Sequence, residues 1–113
     1  MSLNPLVDSR DVRFVLFELL ELEKLNRYDN FQDFDRSVYE DTLELAEKIA
    51  LEQFYTSNVD GDQIGLEYDA KEHTVKVPES FHKAFRAYVE AGFHILSFPQ
   101  DVGGVGIPST ISM

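Results

Sequence analysis

Three kinds of residue in this chain of 113 could do chemistry: three histidines, a surplus of carboxylates, and a knot of glycines near the end. His73, His82 and His94 stand in no HxH, HxxxH or HExxH spacing, so no pair shares a helix face as a metal site requires. His73 falls in a hairpin turn and His82 on the polar side of a helix, and both read as solvated. His94 lies among apolar neighbours and reads as a satisfied, partly buried histidine rather than a ligand contact. Most carboxylates fall on faces read as solvent-facing. Asp60-Gly61-Asp62 resembles part of a calcium loop, but the glycine comes too early and position 71 is Lys where a ligand Glu is needed. No Ser sits in a G-x-S-x-G turn. Cysteine is absent, which removes a thiol nucleophile, a disulfide framework and a thiolate metal site. No catalytic, cofactor-binding or metal-ligating residue is assigned.

The glycine knot is the stretch Phe98-Pro99-Gln100-Asp101-Val102-Gly103-Gly104-Val105-Gly106-Ile107-Pro108. It holds three of the six glycines and two of the four prolines. Gly103, Gly104 and Gly106 permit conformations and close approaches closed to other residues. The order is not GxGxxG and lacks the GK[ST] ending of a phosphate loop. It reads as a tight turn rather than a ligand loop. Phe98, Gly103, Gly104, Gly106 and Pro108 are the candidate residues of a junction or pocket-lining loop.

The elements that must position these residues are mostly helical. Asp8 or Ser9 offers an N-cap for a helix over 8–25. Val12, Val15, Leu16, Leu19, Leu20 and Leu22 fill one arc of it. Phe14, Phe17 and Leu25 point elsewhere, so this helix needs cover from several sides. Residues 24–35 form a connection in which Tyr28, Phe31 and Phe34 serve as aromatic anchors. Asp35 caps a second, cleanly amphipathic helix over 36–56, followed by a turn cluster at 58–62 with Gly61 available for positive φ. A hairpin occupies 64–77, turning at 69–72 and leaning on the helices. A third helix covers 79–91 and ends at Gly92. The glycine-rich loop covers 98–108, and Pro108 can start a short last helix. The fold class is mainly α: a small helical bundle with one short β-hairpin, in a single domain.

The formal net charge of −11 argues against binding nucleic acid or an anionic membrane surface. No run is long enough to span a membrane. Met1-Ser2-Leu3-Asn4-Pro5 lacks the pattern of a secretory signal. A cytoplasmic protein is expected.

The segment from Ala91 to Pro108 resembles the end of the N-terminal helical domain of acyl-CoA dehydrogenases. The family pattern there is a small residue, Gly, an aromatic, an apolar run, then Pro-Glu-x-x-Gly-Gly-x-Gly-(Leu/Met/Ile)-Pro. The resemblance extends upstream through Asp11–Glu18, the helix near Asp35, the turn from Asn58 to Asp62, and Val75-Lys76-Val77-Pro78 with Phe81-His82-Lys83-Ala84-Phe85. These upstream stretches resemble the branch that includes methylmercaptopropionyl-CoA dehydrogenase. Asp101 stands near the family's Glu, and Phe93 stands where this branch commonly has Trp.

The resemblance implies a longer parent enzyme that uses FAD to remove α and β hydrogens from an acyl-CoA thioester and passes electrons to an acceptor. It implies that the flavin-binding and base-bearing domains follow the glycine loop. This segment would help wall the acyl pocket and pack on the C-terminal helices. The 113 residues alone are expected to bind no FAD and to be inactive, with Phe14 and Phe17 covered by parts not in this chain. Met1-Ser2-Leu3 reads as an appended start. The alternative is a standalone helical interaction or dimerisation module, and self-association through exposed apolar faces is expected on either reading.

Overall fold

The computed structural model describes residues 4–113, so Met1-Ser2-Leu3 and the reading of it lie outside the described residues. The described residues are mainly helical, with one two-stranded antiparallel sheet. They form two compact units. One holds the chain up to Leu45 together with Phe93–Met113, and the other holds Ala46–Gly92.

In the first unit, Asp8 caps helix α1 (Ser9–Arg13): its Oδ1 accepts from the Arg10 and Asp11 amides at 3.0 and 3.2 Å. α1 runs directly into a π-helical turn, Phe14–Leu19, in which the Leu20 amide reaches back five residues to the Val15 carbonyl at 2.9 Å. The wider turn changes the helix phase. Leu16 and Phe17, adjacent in sequence, are both buried, while Leu19 and Leu20 are left exposed.

Two expectations change here. The helix does not continue to residue 25: Glu21 takes a left-handed φ of 49° and ends it, and Leu22–Arg27 forms a separate 3-10 segment that buries Leu22. Phe17 does not wait for outside cover. It is 7% exposed, and the Arg36 guanidinium lies 4.5 Å from its ring centroid. Phe14 does remain exposed.

Helix α2 (Arg36–Ile49) starts where Asp35 Oδ1 accepts from the Val38 amide at 3.1 Å. The core of the unit gathers Leu16, Phe17, Leu22, Phe34, Tyr39, Leu96, Ile107 and Ile111. Tyr39 is fully buried, stacks on Phe34 at 6.3 Å, and donates its hydroxyl to Asn26 Oδ1 at 2.7 Å. Of the three anchors, Phe34 is buried and Phe31 half-buried, whereas Tyr28 is exposed beside Arg27.

In the second unit the last turn of α2 passes through a second π turn, Ala50–Phe54, into helix α3 (Tyr55–Gln63). The helix therefore does not stop near 56, and 58–62 is not a turn. Gly65, at φ 69°, ends it instead. Gly61 is needed for close approach, not for positive φ. A Cβ there would sit 2.6 Å from Phe81 Cζ.

Strands β1 (Glu67–Asp69) and β2 (Thr74–Lys76) pair with Tyr68 opposite Val75. Asp69 Oδ1 sets the turn by accepting from the Lys71 and Glu72 amides at 2.9 and 3.2 Å. All six strand residues are exposed, so the hairpin does not lean its faces on the helices as expected. Turn hydrogen bonds and ladder pairing hold its shape without burial.

Helix α4 (Glu79–Glu90) packs on α3 and on the π turn before it, with Phe54 edge-on to Tyr88 at 6.4 Å. Gly92, at φ 81°, supplies the left-handed cap. No helix among the described residues is long and apolar enough to cross a membrane.

Candidate functional site

The glycine-rich loop belongs to the first unit and is folded back on the segment before it. Gly103 (φ 91°) and Gly106 (φ 77°) occupy left-handed conformations. Gly104 is required for a different reason: a Cβ at that position would overlap the Phe98 backbone carbonyl. The amides turn inward. Gly103 donates to the Gln100 carbonyl at 3.0 Å, Gly104 to Pro99 at 3.0 Å, Val105 to Ile95 at 3.2 Å and Ile107 to Leu96 at 3.1 Å. The Gln100 side chain adds a bond to the Val105 carbonyl at 3.3 Å.

An anion cradle needs N–H groups that converge on empty space. The Gly103 and Gly104 amides are spent on carbonyls of the loop, and those of Val105 and Ile107 on carbonyls of the segment before it, so these four do not form a cradle for the phosphates of a flavin dinucleotide. The loop is a closed turn that fastens the chain's end to the core.

The five candidate residues thus divide. Gly103, Gly104 and Gly106 shape the turn. Pro108 is buried and precedes helix α5 (Ser109–Ser112), whose Ile111 enters the core. Phe98 is 53% exposed and shares the outer surface of the loop with Val102 and Val105, which makes it the candidate with the largest apolar side chain open to another molecule. His94, expected to be partly buried, is exposed, because its short 3-10 turn (Phe93–Ile95) half-buries its neighbours on either side.

A second site lies wholly in the second unit. Phe54, Ser57, Val77, Phe81, His82, Ala84 and Phe85 line an open groove of about 460 Å³. That volume is on the scale of small-ligand sites. Its walls are aromatic or aliphatic, apart from the Ser57 hydroxyl and the His82 imidazole. The hydroxyl is already committed to the Phe54 carbonyl at 2.8 Å. Such walls suit a hydrocarbon or aromatic group and hold no partnered acid, base or nucleophile.

Sequence reasoning placed Phe81, Ala84 and Phe85 on one helix stripe and Phe54 on another, but read both stripes as core. Nothing in the spacing of these residues separates a groove wall from a core stripe. Among the described residues no group of three or more His, Asp or Glu is placed to hold a metal ion. Asp60 and Asp62 lie inside α3, which rules out the calcium-loop reading. The Tyr39 phenol in the first unit is shifted. Burial pushes it above the ordinary tyrosine value, and the Asp35 and Glu23 carboxylates add to this.

No family model matches the sequence. Among curated proteins, the broad-specificity linear acyl-CoA dehydrogenase FadE5 of Mycobacterium tuberculosis (strain ATCC 25618 / H37Rv) is 33% identical over 81 residues, which is 72% of this chain and 13% of that protein. The chain therefore corresponds to a small part of the relative's length, and the similarity supports a relationship to acyl-CoA dehydrogenases over that stretch.

Proposed function

We propose that the chain is the N-terminal helical domain of an FAD-dependent acyl-CoA dehydrogenase, of the branch resembling methylmercaptopropionyl-CoA dehydrogenase. In this role it helps wall the acyl pocket and packs on the enzyme's C-terminal helices. The observation that carries the reading is the 33% identity to an acyl-CoA dehydrogenase across 72% of the chain. The glycine-rich turn and the apolar groove agree with it. The turn delivers the chain at Pro108 toward whatever follows, and the groove offers apolar walls without catalytic groups. The flavin and the base that takes the α proton are then supplied by other parts of the parent, since no residue described above fits either task.

The test is to express the uninterrupted reading frame containing these residues beside the 113-residue chain. The longer protein is expected to co-purify with flavin and to convert acyl-CoA thioesters to enoyl-CoA with an electron acceptor. The short chain is expected to do neither. A reading frame that stops at Met113 overturns the proposal.

One observation favours a second reading, an interaction module. Phe85 is 63% exposed beside the groove, with Leu66 and Tyr68 on the hairpin exposed to a similar degree. Sedimentation of the 113-residue chain separates the two readings when combined with the reading-frame result. A discrete dimer from a frame that ends at Met113 selects the module.

A further inference from the structure

We infer that the π turn Ala50–Phe54 carries one inserted residue, and that this insertion fixes which face of α3 forms the groove. The turn is closed by the Tyr55 amide, which donates to the Ala50 carbonyl five residues back. An α-helix would close four residues back. A π turn is rare, which points to something downstream that selects it.

The residues that α3 and the π turn show to α4 are Phe54, Ser57 and Gly61. Phe54 meets Tyr88, Ser57 is 6% exposed, and Gly61 lies against the end of the Phe81 ring with no room for a Cβ. If 50–54 were plain α-helix, each of these places would be reached one residue earlier, a rotation of about 100°. Gln53, Thr56 and Asp60 would then occupy them. That register places a carboxylate and its Cβ under the Phe81 ring, where an unpaired charge is costly. The extra residue removes the conflict by bringing the residue without a side chain to the notch. Phe54, Ser57 and Phe81 all line the groove, so the insertion also shapes it.

Deleting Glu52, an exposed residue of the π turn, tests this in the full 113-residue chain. The deletion lets the turn close as α-helix while keeping Ser57 and Gly61 in place. The expected result is cooperative thermal unfolding with a Tm within about 4 °C of the parent, and retained NOEs between the Phe81 ring and the Gly61 α-protons. Inserting an alanine after Glu52 should instead lower the Tm and abolish those NOEs. A second variant, D60G with G61D, moves the notch one residue earlier. It is expected to fold with the Phe81 ring over position 60. Loss of the Phe81–Gly61 NOEs in the deletion overturns the inference, as does a Tm that falls as far as the insertion's. So does a ring that stays over position 61 in the double variant.

Discussion

The two units use similar residues to opposite ends. In the first, Leu16, Phe17, Leu22, Phe34, Leu96, Ile107 and Ile111 close around a fully buried Tyr39. In the second, the buried positions are Ser57, Pro78 and Ala84, all small, while Phe54, Tyr55, Val59, Ile64, Leu66, Tyr68, Val75 and Phe85 stay exposed. Both contain a π turn and a left-handed glycine cap. The difference lies in what meets at the contacts. The first unit brings large side chains together. The second brings helices close through Gly61 and Ala84, which leaves its large side chains around the contact rather than in it. The first therefore has a core of large side chains, with Phe14, Leu19 and Leu20 left outside it, and the second is held together through small ones. Native-state hydrogen exchange should reflect this, with amides of α2 around Tyr39 slower than those of α3 and β1.

The contrast breaks most visibly at Tyr39. Tyr39→Ala removes the ring around which the first core is built and should cost about 3–5 kcal/mol, read as a fall in urea midpoint. Gly104→Ala comes next. The new methyl would meet the Phe98 backbone, not a flexible side chain, so the loop must open or the chain distort, at roughly 1–3 kcal/mol. Tyr39→Phe is milder, at about 1 kcal/mol for the lost bond to Asn26.

Tyr39→Phe also isolates a pH effect. The folded phenol's pKa lies above the unfolded value. Below about pH 10 both states are protonated and the group's contribution to stability is fully present. As pH rises past that point the unfolded chain ionises first, and the contribution is lost as pH climbs through the folded pKa. The parent should lose stability above about pH 10 more steeply than the phenylalanine variant.

Much of this was legible in the residues. The caps at Asp8 and Asp35, the helix over 79–90, the hairpin and the left-handed Gly92 follow from local chemistry that tertiary context did not override. What was not legible depended on contacts far apart in sequence. Glu21 is not a residue whose type favours a positive φ, yet the chain turns there and buries the next residue, Leu22, in a core shared with Leu96, Ile107 and Ile111. Asn58-Val59-Asp60-Gly61-Asp62 has the composition of a turn, yet α3 runs through it because Gly61 is needed under Phe81. The π turns escaped a wheel drawn at 100° per residue, and with them the burial of Phe17. Of the candidate site, the glycine loop stood out by composition, whereas the groove did not. Its residues lie on apolar stripes indistinguishable from core stripes until the supply of covering side chains is known.

The smallest expected effect is the one that bears most directly on the comparison. Phe85 is a large aromatic residue on α4 that lines the groove and is 63% exposed. In a core, replacing such a ring with a small polar residue costs several kcal/mol. On a surface that is already open, little burial is lost, and exchanging an apolar for a polar group in water is nearly neutral. Phe85→Ser should therefore change the unfolding free energy of the 113-residue chain by no more than about 0.5 kcal/mol. The 113-residue chain is predicted to self-associate through this patch, and the substitution to weaken that association in sedimentation across a concentration series. A loss near that of Tyr39→Ala would mean that the second unit has a core after all and that the contrast between the two is false. Unchanged stability with unchanged association would keep the contrast and move the adhesive surface to the hairpin face of Leu66, Tyr68 and Val75.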